Sequence, residues 1–369
     1  MERKIRRSSS AGYLNTRRTS ISEGGGKRKR NTIFASSASS STLSGSIVIP
    51  EATESQNKKT NNSEKKTTTT STSTLSTSIN RPAALAPQHE TPSWHLVPHL
   101  ITQYRVNHDF IDSLRSWFYS HNDLINIWSH FLGLLYFLYA FFRVHQALDA
   151  EVAAGATLSW HAYALIDFQI ACCAVQMLTS VLYHTFRCVS PDHEDLFFRA
   201  DLLGISVLIV GSYAASLHLG FGDCHLHLYF LYIGILMCFV VWIIATLTLK
   251  NVFDHQNLLY RLLGAAVGFG TLPCIHWLHT CATDSASVCL PHLEWYMLGM
   301  MGCYSVGYGF FMFRFPERFF PASFDLVGSS HQIWHFFVFL GSAFLAEAVL
   351  KGTLLKAMNP RTTRCNSLV

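Results

Sequence analysis

Residues 226–249, LHLYFLYIGILMCFVVWIIATLTL, contain no Asp, Glu, Lys or Arg. In an α-helix rising about 1.5 Å per residue, a run of this length covers roughly the 30 Å hydrocarbon core of a bilayer. A membrane β-strand would instead alternate apolar and polar residues over about ten positions. On either side of this stretch, comparable apolar runs occupy 124–145, 161–187, 201–220, 260–281, 293–313 and 328–350. The sequence therefore predicts an all-α membrane protein, a bundle of seven transmembrane helices.

Loop charge orients the bundle, because Lys and Arg are retained on the cytosolic side. Arg187, Arg199, Lys250, Arg261, Arg314 and Arg318 border the second, fourth and sixth loops, whereas only Arg143 borders the first, third and fifth. The N-terminus is thus expected in the cytosol and, after an odd number of spans, the C-terminus outside. Lys351, Lys356, Arg361 and Arg364 run against the rule, but six loop positions outweigh them. This topology is opposite to that of G-protein-coupled receptors. A transporter is disfavoured, since no internal repeat and no matched acidic pairs cross the apolar runs.

The net charge of +5 averages two unlike regions. Residues 1–90 hold 15 Lys and Arg against 6 Asp and Glu and are rich in Ser, Thr and Asn, so a disordered basic cytosolic tail is expected. Its Lys27-Arg-Lys-Arg30 suits anionic lipid headgroups, and no nucleic-acid partner is expected. No apolar stretch in the first 30 residues resembles a cleaved signal. Residues 94–122 mix Leu, Ile, Val, Tyr and Trp with charges, which fits an amphipathic pre-span helix at the membrane interface or an ordered cytosolic cap equally well. The seven-helix domain then covers 124–350, and 351–369 form a short C-terminal tail. The ten cysteines include no C-x-x-C pair; only Cys224, Cys281 and Cys289 lie where an oxidising compartment would permit a bridge. A multi-pass protein of the plasma membrane or endoplasmic reticulum is the expected localisation.

Ionisable residues inside a membrane are costly and therefore informative. With the expected topology, His184 ends the second span, Asp201 opens the third, and His331 and His335 open the seventh, all at the cytosolic side. His331 and His335 are four residues apart and share a helix face; His184 supplies a third imidazole. Three imidazoles suit zinc, and a fourth position left to water marks a catalytic site. Asp201 could close the site as a ligand, or accept a proton from water as general base. Ser180, one turn from His184, could orient a ligand or donate to an oxyanion. His276 and Asp167 fall in the outer half and are expected to serve packing.

Five motifs stand in order: Asn126-Ile-Trp-Ser-His130-x-x-Gly133, Ser180-Val-Leu-Tyr-His184, Asp201-x-x-Gly204, Pro316-Glu-Arg-Phe-Phe-Pro321 and Ser330-His-Gln-Ile-Trp-His335. As a set they resemble the progestin and adipoQ receptor family, which includes adiponectin receptors and haemolysin III-like proteins, over roughly 94–350. The resemblance implies that His184, His331 and His335 are zinc ligands, that Asp201 contacts water and that Ser180 flanks the site. It also implies either ceramide hydrolysis, as for animal adiponectin receptors, or zinc and sterol homeostasis, as for fungal relatives. Ile125 departs from the Gly typical of adiponectin receptors. The functional expectation is a zinc-dependent hydrolase of a lipid amide such as ceramide. Its rivals are a receptor with structural zinc that binds an extracellular protein ligand, and a non-catalytic homeostasis protein.

Overall fold

A bilayer offers backbone amides no hydrogen-bond partners, so an apolar chain satisfies them within helices. In the computed structural model, which describes residues 83–222, 225–249, 255–283 and 292–358, a short leading region comes first. It comprises β1 (Ala84–Ala86), β2 (Tyr104–Val106) and α1 (Phe110–Arg115). The long helices follow: α2 (Leu124–Ala153), α3 (Trp160–Phe186), α4 (Pro191–Phe221), α5 (Leu226–Leu247), α6 (Gln256–Phe269), α7 (Thr271–Thr283), α8 (Leu293–Phe313) and α9 (Ser330–Met358). Among the described residues, six stretches are long and apolar enough to cross a membrane, counting α6 and α7 as one. The expected span at 293–313 is helical as α8 but is not among the six. Its four glycines and three tyrosines dilute its hydropathy.

Several limits differ from the sequence expectation for local reasons. Helix α4 starts well before 201, because Ser190 accepts a hydrogen bond from the His193 amide and Pro191 takes the first helical position. The single span expected at 260–281 is broken at Gly270, and Pro273 in the next turn lacks the amide hydrogen that a continuous helix requires. Helix α9 runs past 350 to Met358. Residues 94–122 form no continuous helix; turns, β2 and the six-residue α1 share that stretch. The expected tail lies outside the described residues except for 83–90, where β1 pairs antiparallel with β2. Cys281 is disulfide-bonded, while Cys224 and Cys289 lie outside the described residues.

Helix α4 meets α3 through Gly204 and Gly211, two turns apart. A Cβ on Gly211 would sit 2.6 Å from the Cys172 Cβ, and one on Gly204 2.1 Å from the Thr179 hydroxyl. This close approach carries Asp201 up to α3. The leading region is tied to the loop before α9 by Asp325, whose Oδ2 accepts from the amides of Ile101 (3.1 Å) and Thr102 (2.8 Å). Its interior holds His95 and His121, both buried. The Asp123 amide donates to His121 Nδ1 at 3.1 Å, and burial, reinforced by Arg105, pushes the His121 pKa from its ordinary 6.5 down to about 3.

Two outcomes are expected. Gly211→Leu should lower stability by roughly 1–3 kcal/mol through overpacking, read as a lower Tm in detergent. Gly234→Leu should not, since nothing lies within 4 Å of that position. A histidine held neutral by the fold binds protons more readily when unfolded, so its contribution is complete above pH 6.5 and is lost as pH falls toward 3. Amide protection factors across 104–122, corrected for the intrinsic pH dependence of exchange, should therefore fall on acidification from pH 6.5 and stay constant from pH 7 to 8; the opposite slope would exclude a neutral buried His121.

Candidate metal centre

His184 lies in the last turn of α3, and His331 and His335 in the first two turns of α9. Both helix ends are fixed by side chains. The terminal carbonyls of α3 have no intrahelical partners, and the Arg105 guanidinium donates to those of His184 and Thr185. At the start of α9, Glu317 accepts from the Ser330 amide (2.8 Å) and its hydroxyl, placing negative charge at a helix N-terminus. Gln332 holds the same turn by accepting from the Gly328 amide at 2.6 Å. The registers of all three histidines are thereby set.

The three imidazoles converge. One ring nitrogen from each lies within 4.8 Å of the others, and His184 Nε2 is 3.1 Å from His331 Nε2. His184 and His335 are buried and His331 half-buried. Hydrogen bonding assigns two tautomers. His184 Nδ1 lies 2.9 Å from Asp123 Oδ1; an ionised carboxylate only accepts, so Nδ1 carries the proton and the Nε2 lone pair faces His331. His335 Nδ1 lies 3.2 Å from the Ser129 hydroxyl, whose own proton goes to the Asn126 carbonyl at 3.0 Å, so this Nδ1 also donates. Nitrogens bound tetrahedrally to zinc at about 2.0–2.1 Å lie about 3.3 Å apart, close to the His184–His331 separation. The donor set fits a divalent metal ion.

Asp123 is the carboxylate beneath this group. It is buried, with Arg105 at 3.2 Å and Arg187 at 4.0 Å. Burial alone would raise its pKa, but the His184 hydrogen bond and the Arg187 and Arg105 guanidiniums hold it well below the usual carboxylate range. Sequence reading missed this residue; its one signal is an acidic side chain immediately before an apolar run. His130, quoted only as part of a motif, stacks on His335 with ring centroids 3.7 Å apart.

Asp201 contributes no atom to the histidine group. It lies beside Ser180, and both are buried and line the same cavity as the histidines. Asp201 Oδ1 has no hydrogen-bond partner among the described residues. The cavity measures about 790 Å³ and is also lined by Trp94, Leu96 and Leu100. An apolar cavity of about 90 Å³ adjoins it, sharing Gln176, Ile205, Val267, Tyr304 and Trp334 and continuing to Leu217, Phe221 and Met297. His276 and Asp167 pair elsewhere, with Tyr232 (2.8 Å) and His145 (2.8 Å).

The pattern of the haemolysin-III-related family matches residues 118–346, a span that contains every histidine of the group. Heptahelical transmembrane protein 1 of Arabidopsis thaliana is 30% identical over 253 residues, which cover 66% of this chain and 73% of that protein. The ADIPOR-like receptor IZH2 of Saccharomyces cerevisiae is 29% identical over 258 residues, 69% and 79% of the two chains. Human progestin and adipoQ receptor family member 3 is 26% identical over 245 residues, 64% and 76%. With its apolar helices and a match that runs through both halves of the histidine cluster, the chain belongs to the haemolysin-III-related family and is a multi-pass integral membrane protein akin to the progestin and adipoQ receptors.

Proposed function

We propose that this protein is a zinc-dependent intramembrane hydrolase acting on a lipid amide, with ceramide the favoured substrate. The observation that carries the reading is the turning of His184 and His335, through their Nδ1 hydrogen bonds, toward one point on the wall of a cavity with an apolar extension. Seven spans with a cytosolic N-terminus and external C-terminus frame the site. Loop charge supports that orientation, as does the disulfide at Cys281, which suits an oxidising compartment at the end of α7. The Arabidopsis relative is named heptahelical.

In this reading His184, His331 and His335 hold zinc, which when bound supplies Lewis-acid activation of water and of the amide carbonyl. Asp201 takes the proton of the attacking water and returns it to the departing amine. Ser180, alongside, donates a hydrogen bond to the carbonyl oxygen as negative charge develops there. The adjoining apolar cavity, about 90 Å³, has room for only part of an acyl chain, and the polar groups around His184 face the head of the lipid. A second reading, a receptor whose zinc is structural, draws support from relatives named as receptors; an external protein ligand would then act on the bundle.

His184→Ala should abolish stoichiometric zinc in the purified protein and release of fatty acid from ceramide; undiminished hydrolysis by that variant would refute the proposal. Asp201→Asn separates the two readings. Catalysis predicts retained zinc and folding with turnover lowered about 10²- to 10⁴-fold, followed by mass spectrometry of the lipid products. Lost folding or lost metal would instead place Asp201 in the structure of the site.

A further inference from the structure

The metal centre is connected to the region that precedes the first long helix through one unbroken set of hydrogen bonds. Arg105 lies on β2 and is fully buried. Its guanidinium donates to the Ser116 hydroxyl (2.9 Å), to Asp123 Oδ2 (3.2 Å), and to the carbonyl oxygens of Thr185 (3.1 Å) and His184. The other oxygen of Asp123 accepts from His184 Nδ1 at 2.9 Å and from Asn126 Nδ2 at 3.3 Å. One residue of the β1–β2 hairpin thus holds both the backbone of His184 and the carboxylate that sets its tautomer. Undocking the hairpin would leave Asp123 without Arg105 and would take from two carbonyls of α3 the partner that Arg105 provides.

We propose that Asp123 is a positioning residue of the metal centre and that Arg105 makes its action conditional on the docked hairpin, so that zinc binding and docking of 84–106 stabilise each other. The proposal rests on the three-histidine reading given above and adds regulation of that site from the chain that precedes the bundle. A carboxylate hydrogen-bonded to a ligating imidazole fixes its orientation and raises its basicity, and its loss weakens metal binding about 10- to 100-fold. Linkage is reciprocal: whatever factor the docked hairpin adds to zinc affinity, bound zinc adds to hairpin docking.

The test uses the full chain in lipid nanodiscs, with zinc affinity measured by competition against a chromophoric chelator. Asp123→Asn is expected to weaken zinc binding about 10- to 100-fold, and Arg105→Met about tenfold in the same direction. Arg115→Met, at an exposed side chain, should leave affinity unchanged. In the unaltered protein, zinc should slow amide exchange of Leu85, Arg105 and Val106, a measurement that needs no variant to fold. Wild-type affinity in folded Asp123→Asn and Arg105→Met, or zinc binding that leaves hairpin exchange unaltered, would overturn the proposal while sparing the three-histidine site. Zinc uptake that survives His184→Ala, or that is missing from the unaltered chain, would overturn both.

Discussion

Charge buried inside a helical bundle must be neutralised largely by the chain itself, and in this protein that requirement converges on Asp123. Its carboxylate lies between two buried guanidiniums, Arg105 at 3.2 Å and Arg187 at 4.0 Å, and Arg187 is paired in turn with Glu194 at 2.6 Å. Two positive and two negative groups therefore balance within one cluster. Breaking such a set by removing a single partner costs about 3–5 kcal/mol, because the remaining charges stay buried. The cluster draws its members from β2, the turn before α2, the end of α3 and the start of α4, so the requirement for neutrality fixes how these elements meet.

The cavity beside this cluster adjoins a second space of different character. At one end, His184, Asp201 and Arg314 line a volume of about 790 Å³. Beyond Tyr304 and Trp334 the lining becomes Leu217, Phe221, Trp277 and Met297. In the function proposed above, an amphiphile would set its polar groups beside the histidines and an apolar group toward the smaller space. The reverse placement would leave buried polar atoms unpaired against Leu and Phe. Discrimination by such a cavity comes from polarity along its length as much as from shape.

Hydropathy and helical spacing made the membrane class and the histidine group legible, because both properties are local. Charge-free runs of about 20 residues report a bilayer solvent wherever they occur, and the spacing of His331 and His335 places them on one face without knowledge of any partner. His184 was reachable through depth. Arg105 and Asp123 were not, since their meaning lies in contacts across 79 and 61 positions that no periodicity records. A region rich in Leu, Tyr and Trp reads equally as an amphipathic helix or an ordered cap, and residues 94–122 spend their backbone on β2, the short α1 and turns. There the long-range bonds of Arg105 to the His184 and Thr185 carbonyls, and those of Ile101 and Thr102 to Asp325, fix a backbone that local propensity does not encode. The break at Gly270 was foreshadowed by Pro273, while the early start of α4 depended on Ser190 and Pro191, cap signals that hydropathy ignores.

The division of labour between the histidines and Asp201 bears on what the centre is for. Structural zinc sites are closed by four protein ligands, whereas catalytic ones keep three and leave a position open. Here three nitrogens cluster, and among the described residues no carboxylate or thiol joins them. The nearby acid is held apart from the group, beside Ser180, with one oxygen that finds no partner among the described residues. A buried carboxylate oxygen left unpaired costs free energy that a purely structural design could avoid with an apolar side chain of similar size. In the hydrolysis proposed above, this oxygen on the wall shared with the histidines would accept the proton of a water bound in the cavity.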